Sequence, residues 1–378
     1  MRALALLVVA ACGQAKPAEP VAGSGSAVAT APVVVDAPRP DAAPPAPPHV
    51  MKHGDDTPAI RCTTDAGPLF ANHDSMAMLH IQSDFSLAVT PAGDVYTSDN
   101  LTISRWKLEA TPGACVLHLD PSYAVGGRLD LPAIHNRMLD SNIEGGYCTR
   151  PRAHHRATGD TCPWQWNLAA GPDGAVYMTD DVSGTYRIDR GSVEPTCPDS
   201  GFRQLQFAPN GHAIGDLSKG IDLATCATTR MPWEPKEQRD GPLTMLAGFL
   251  GDEPIIDRDG MYRDVGTTSI QYGHRYEETD RICQTAMAFA CGDDLCFADS
   301  GCMRVSRFTR AGAFRGAWTL ESHGDPEPRP DRMLASARMP NGDLLMVTVF
   351  RYWHDGTQSE RDRFEVWPVL MPAAAFTP

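Results

Sequence analysis

Residues 292–308 read Gly292-Asp293-Asp294-Leu295-Cys296-Phe297-Ala298-Asp299-Ser300-Gly301-Cys302-Met303-Arg304-Val305-Ser306-Arg307-Phe308. A glycine turn leads into an apolar run that ends at an aspartate, and a small loop then opens a second alternating run. The apolar run Met287 to Ala290 precedes the turn, so the stretch spells strand, turn, strand, loop, strand. Versions of the same order occur at Leu87–Asp99 around Pro91-Ala92-Gly93, at Leu168–Asp180 around Pro172-Asp173-Gly174, at Leu205–Asp216 around Pro209-Asn210-Gly211 and at Ala335–Val347 around Pro340-Asn341-Gly342, with a degenerate copy at Leu246–Asp257. Proline sets φ for the second turn position and glycine accepts positive φ, so each copy predicts a tight β-hairpin. Third strands are expected at Ile103–Trp106, Thr185–Ile188 and Met303–Phe308.

Turn anchors at 91, 172, 209, 251, 291 and 340 lie 81, 37, 42, 40 and 49 residues apart, close to the roughly 40–50 residues of a propeller blade. Residues 292–308 resemble an NHL-type repeat, with Cys302 where asparagine is usual. At the level of strand pattern the resemblance extends over about residues 75 to 378 to the six-bladed TolB-like propellers, which include the gluconolactonase-like enzymes. The expected fold is therefore all-β, a six-bladed β-propeller, with seven blades as the alternative. The long first interval leaves residues 120–165 as an inserted loop. The strand-like Phe364–Leu370 is expected to close the ring against a segment near the domain start, for which Ala77–Ile81 is the candidate.

The chain begins Met1-Arg2 and continues with nine apolar residues, Ala3 to Ala11, before Cys12. This is the order of a short signal peptide, and nine residues are too few to span a bilayer as a helix. Val9-Ala10-Ala11-Cys12 resembles a bacterial lipobox, which implies cleavage before Cys12 and lipidation of its new N-terminus; Gly13 after it implies sorting to the outer membrane. Multiple acyl chains give the stable anchoring that one chain does not. From Gly13 to about Val50 the composition is Ala and Pro with scattered Gly and Ser, which lacks the side chains needed to offset ordering entropy and predicts a disordered, polyproline-biased tether. At roughly 3.1 Å per residue it reaches about 100 Å from the membrane. The organisation expected is a signal peptide at 1–11, the lipidated cysteine and linker at 12–58, and a propeller at 59–378.

Ten cysteines follow Cys12, and an even count in an exported chain points to disulfides. Cys283, Cys291, Cys296 and Cys302 lack the C-x2-C spacing of a zinc site. Cys291 and Cys296 flank a tight turn, and Cys283 and Cys302 fall at one end of the same blade, so these two pairings are expected. A third, Cys148 with Cys162, would close a small loop around Arg150, Arg152, His154, His155 and Arg156.

The formal net charge of −14 disfavours nucleic acid and anionic lipid surfaces as partners, because such binding draws on basic patches and no basic run is present. The cluster Arg150, Arg152, His154, His155 and Arg156 is the local exception. It makes the long loop the expected site for an anionic partner, since recognition rides on connections between rigid strands; a solvated loop is the plainer reading. No Gly-x-Ser-x-Gly elbow, His-Glu-x-x-His helix, Walker loop or GxGxxG turn is present.

Asp99, Asp180, Asp216 and Asp299 recur at one repeat position, as turn caps would. Asn167 with Asp180 resembles the calcium-binding strand of the gluconolactonase-like enzymes, and Glu144 is the nearest substitute for their N-terminal acidic ligand. The tryptophans Trp164, Trp166, Trp233, Trp318, Trp353 and Trp367 either pack between blades or line a carbohydrate site. Two functions follow. One is a binding platform, monomeric and without a cofactor, for an envelope protein or a small ligand. The other is a calcium-dependent lactonase or esterase.

Overall fold

A computed structural model describes residues 49–51, 58–72, 85–99, 102–130, 167–180, 184–189, 191–198, 204–215, 219–231, 245–257, 261–265, 268–274, 280–283, 285–320, 329–352 and 363–376, with Ser200 and Phe202. Among them the strands group into six antiparallel meanders in a propeller-like arrangement. Blade one comprises Ser86–Val89, Asp94–Ser98, Thr102–Thr111 and Ala114–Leu119; blade two comprises Asn167–Ala170, Val176–Asp180, Gly184–Asp189 and Ser192–Cys197. Blade three comprises Leu205–Phe207, Ala213–Gly215, Lys219–Ile221 and Thr228–Arg230, and blade four Met245–Leu250, Glu253–Asp257, Met261–Val265 and Thr268–Tyr272. Blade five comprises Thr285–Cys291, Asp294–Asp299, Arg304–Phe308 and Phe314–Thr319. Blade six takes Arg329–Arg338, Leu344–Tyr352 and Arg363–Met371 from the C-terminal part of the chain, and its outer strand from the N-terminal side.

The turn chemistry accounts for the four proline-bearing hairpins. In blade one Thr90 N–H donates to Asp94 O and Gly93 N–H to Thr90 O, both at 2.9 Å; the same pair of bonds recurs at Gly171/Gly174, Ala208/Gly211 and Met339/Gly342. Proline occupies the second position of a type I turn and glycine the left-handed position after it, with φ of +83° to +89°. Blade five differs: its hairpin pairs Cys291 with Asp294 across only Gly292-Asp293.

Six apolar clusters occupy the seams. Val95, Trp106 and Leu87 pack with Leu345, Val347 and Val366 between blades six and one. Leu168 and Met178 pack with Tyr96 and Ile103 between blades one and two, and Leu205 with Ala169 and Tyr177 between two and three. Ala208 and Ile214 meet Leu246 between three and four, Ile255 and Tyr272 meet Phe297 between four and five, and Phe289 meets Met346 and Met371 between five and six. Each seam joins consecutive blades, and the series returns to blade one.

Ring closure uses both sides of the domain. Ile60 and Arg61 pair with Leu370 and Val369, and Phe70, Ala71 and Asn72 pair with Val366, Glu365 and Phe364. Thr63 and Thr64 run parallel to Val116 and Leu117 of blade one, and Cys62 is disulfide-bonded to Cys115 with a Cα separation of 4.6 Å. The closing partner is thus the segment 60–72 in place of Ala77–Ile81, which lie outside the described residues. Two-residue strands leave no alternation for a sequence pattern to detect.

The expected loop at 120–165 also begins as structure. Arg128–Asp130 pairs with Thr102–Ser104, Arg105 Nη2 contacts Asp120 Oδ2 at 2.8 Å, and Tyr123 is buried edge-on against Tyr96. These contacts are long-range, so the local Gly-rich composition hid them. The remainder, with Cys148, Arg150, Arg152, His154, His155, Arg156 and Cys162, lies outside the described residues, as do Cys12 and the rest of the N-terminal segment up to residue 48.

Candidate functional site: the central channel

The inner strands of all six blades run in the same direction around a cavity of about 640 Å³. One mouth carries the strand starts, with Ser86, Asn167 and Gln204; Asp257 and Ser300, from second strands and their ends, lie on the same side. The other mouth carries the hairpin turns, with Phe207, Pro209 and Arg338. The wall between is mixed, with apolar side chains such as Phe249 and Met287 beside a comparable polar surface. Asp257 and Arg338 are the charged residues among those lining it.

Polar side chains of the first three inner strands clip neighbouring blades together. Leu168 N–H donates to Ser86 Oγ at 2.7 Å, Leu205 N–H to Asn167 Oδ1 at 3.1 Å, and Gln206 Nε2 to Leu246 O at 2.7 Å. Between blades four and five the backbones meet directly, Gly248 pairing in parallel with Ala288. Each such bond satisfies a polar group that would otherwise face a water-poor seam.

Blade six breaks this pattern. Ser336 Oγ and Arg338 Nη1 are buried without a hydrogen-bond partner. The Arg338 guanidinium lies over Phe289, 4.7 Å from the ring centroid, and over Phe376 at 5.1 Å. Burial pulls its proton affinity below the usual arginine range, opposed by the charge of Asp343. Asp343 does not close the gap: its Oδ1 accepts Ala373 N–H at 2.7 Å and its Oδ2 accepts the Asn341 amide at 2.8 Å.

Of the residues singled out from sequence, Asn167 lies at the channel, where its carbonyl holds blade three. Asp180 ends the second strand of blade two opposite Gly184, and its side chain is outside the described part. Asp299 is fully buried and accepts N–H groups of Cys283 at 2.8 Å and of Gly301 and Cys302 at 3.1 Å; Asp99 accepts Thr102 N–H at 2.7 Å. Both are turn caps. Cys283 is bonded to Cys302 and Cys291 to Cys296, with Cα separations of 5.5 and 5.8 Å, and Cys197 to Cys226 at 5.4 Å. Cys283, Asp299 and Cys302 bring their ligand-type atoms within 4.8 Å, but both sulfurs are in the disulfide. Trp318 packs edge-on against Phe376 and Trp367 donates to Glu365 at 2.8 Å. Neither lines the channel, and the other four singled-out tryptophans are outside the described residues.

Ser86, Gln206, Ser336 and Arg338 escaped the sequence reading, although the last two carried a signal. Aligned on the turn proline, Ser336 stands where Leu87, Leu168 and Leu205 stand, and Arg338 where Val89, Ala170 and Phe207 stand. Those equivalents pack on the preceding blade. Among the four blades with a turn proline, the polar pair in two otherwise apolar columns sets blade six apart.

No protein-family model matches the chain, and no curated protein matches it. Among solved structures it is similar to the calcium-binding protein regucalcin of Agrobacterium tumefaciens, with 10% identity over 75% of this chain and 90% of that one and a TM-score of 0.41. An auxiliary nutrient-binding protein of Bacteroides ovatus shares 12% identity over 76% of this chain and 70% of that one, with a TM-score of 0.43. A gluconolactonase of Xanthomonas campestris shares 13% identity over 83% of this chain and 97% of that one, with a TM-score of 0.26. At these values the likenesses carry no argument about ligand or chemistry.

Proposed function

We propose that the chain is an extracytoplasmic β-propeller lipoprotein, anchored to the outer membrane through Cys12, that acts as a binding module with a small ligand held in its central channel. The observation that carries the binding part is the channel itself: about 640 Å³, lined by the inner strands of all six blades, with the partly exposed side chains of Phe207, Phe249 and Met287 beside polar groups that include Gln204, Asp257 and Arg338. That is the size of a preformed small-molecule site, and convergent polar groups in such a cavity give a ligand its orientation. The polar side chains nearest the strand-start mouth support this over hydrolysis, because Ser86 and Asn167 already accept backbone N–H groups from the next blade.

Calcium binding separates the platform from a lactonase, since hard cations take several oxygen ligands and would draw on Asn167 and Asp180. The purified domain is expected to contain less than stoichiometric calcium and to unfold at the same temperature with and without a chelator. One tightly held calcium per chain, together with calcium-dependent hydrolysis of a sugar lactone, would overturn the binding module in favour of the enzyme.

The anchor rests on the lipobox-like Val9–Cys12 and the Pro/Ala-rich run behind it. Cells making Cys12→Ala are expected to release the protein into the soluble envelope fraction. A variant that still pellets with membranes as the parent does would refute the lipid anchor.

Asp130 and Asn167, the described residues that flank segment 131–166, both lie at the strand-start end of their blades, and Arg150, Arg152, His154, His155 and Arg156 fall in that segment, outside the described residues. An anionic partner there, drawn by local charge against an acidic background, is part of the same proposal.

A further inference from the structure

Resting on the channel as the binding site, we infer that the turn-side end of the channel, at Arg338 and Ser336, is built to take the carboxylate of a small organic anion whose apolar body lies along the channel wall. The starting point is a cost. A buried polar atom without a hydrogen bond is costly to a fold, and blade six places two of them two residues apart on one strand face. In blades one to three the corresponding positions carry leucine and Val89, Ala170 or Phe207, which fill the seam with apolar surface. The seam between blades five and six surrenders that packing and leaves donors in its place.

The donors are held in position for a planar acceptor. The rings of Phe289 and Phe376, edge-on to one another with centroids 5.4 Å apart, pack against the guanidinium from the same side and hold it in place, while its Nη1 has no hydrogen-bond partner. Phe376 is fixed in turn by Trp318 and Phe289, whose ring centroids lie 5.7 and 5.4 Å away edge-on. Asp343, the acidic neighbour, accepts Ala373 N–H and the Asn341 amide, and Arg338 Nη1 has no hydrogen-bond partner. Ser336 precedes Arg338 by two residues, about 7 Å along a strand, and its hydroxyl is a second donor on that face. A carboxylate accepts from a guanidinium edge in a charge-assisted bond stronger than a neutral one. Ser336 and Arg338 line the channel together with Phe289, so a ligand in the channel lies beside both donors' side chains.

The body of the ligand is specified by the wall. Phe207, Phe249 and Met287, each partly exposed, line the same cavity as Arg338. Inorganic anions have nothing to place against that surface, whereas a short-chain or aryl carboxylate buries its chain there.

Calorimetric titration of the full chain with hexanoate, hexanol and hexylamine tests the inference. Hexanoate is expected to bind at one site per chain and at least tenfold more tightly than hexanol, with hexylamine weaker still. Arg338→Met keeps an apolar stem beside Phe289 and Phe376 and is expected to abolish the preference for hexanoate over hexanol, while Ser336→Ala reduces it. Equal affinity for hexanoate and hexanol in the unmodified chain, or an unchanged preference in folded Arg338→Met, overturns the carboxylate site and leaves the channel as a neutral apolar site. Absence of binding by all three probes overturns the channel as a binding site as well. Should Arg338→Met not fold, the probe series on the unmodified chain and on Ser336→Ala decides the matter.

Discussion

Replacing Cys62 and Cys115 by serine is expected to cost about 4 kcal/mol of stability in urea unfolding. The bridge spans 53 residues, and the chain-entropy estimate for a loop of that length is about 4 kcal/mol. Its position adds to its length. Residues 60–72 make the outer strand of blade six through Ile60–Leu370 and Phe70–Val366, while Thr63 and Thr64 pair with blade one. Cys62 sits between these pairings, donates its own N–H to Pro368 O at 2.9 Å, and is fully buried. The disulfide therefore ties a two-residue strand, which could not hold itself, to the blade beside it. Hydrogen exchange is expected to rise first in Arg363–Met371 and Ala114–Leu119, the strands the latch joins, and not in blade three or four. A loss below about 0.5 kcal/mol, or exchange rising uniformly around the ring, would show that closure does not depend on this bridge.

Gly248→Ala is expected to destabilise by about 3 kcal/mol, the upper part of the range for overpacking. A Cβ at this position would lie 2.2 Å from the carbonyl oxygen of Ala288, a contact with backbone on the neighbouring inner strand that no side-chain rotation relieves. The close approach has a local cause. The pairing of Met245–Leu250 with Glu253–Asp257 shifts register between Leu246 and Gly248, and the bulge carries Gly248 against blade five, where it pairs with Ala288. The seam must open for any larger residue, exposing part of the cluster of Ile255, Tyr272, Phe297 and Phe308. Gly174→Ala is the control: its Cβ would meet nothing within 4 Å, so only the φ of +83° resists it, at about 1 kcal/mol. Equal effects of the two substitutions would refute the steric account of Gly248.

The repeated hairpins were legible because turn chemistry is local. Pro-x-Gly imposes one backbone path wherever it falls between two apolar runs, and the third strands at Ile103, Thr185 and Arg304 follow the aspartate as the pattern requires. The pairing of Cys291 with Cys296 shares that origin, since both flank one turn. The all-β propeller was thus a property of the amino-acid order, and so were the capping roles of Asp99 and Asp299, which bond to residues within a short stretch of their own chain or, for Cys283, of the same blade.

Tertiary structure alone decided which residues meet across blades. Cys62 found Cys115, and Ile60 found Leu370, over distances in sequence that no periodicity encodes. Ser86, Asn167 and Gln206 became clips because each inner strand lies against the next, so their partners are backbone groups of another repeat. Arg338 shows the division most plainly. Its departure from the apolar column is visible in the aligned repeats, but that it packs against Phe289 and Phe376 beside a channel, with Nη1 lacking a partner, depends on blades five and six closing together. Local order in the chain sets strands and turns through short-range sterics, whereas a site assembled from six strands exists only once burial of the seams has brought them to one axis.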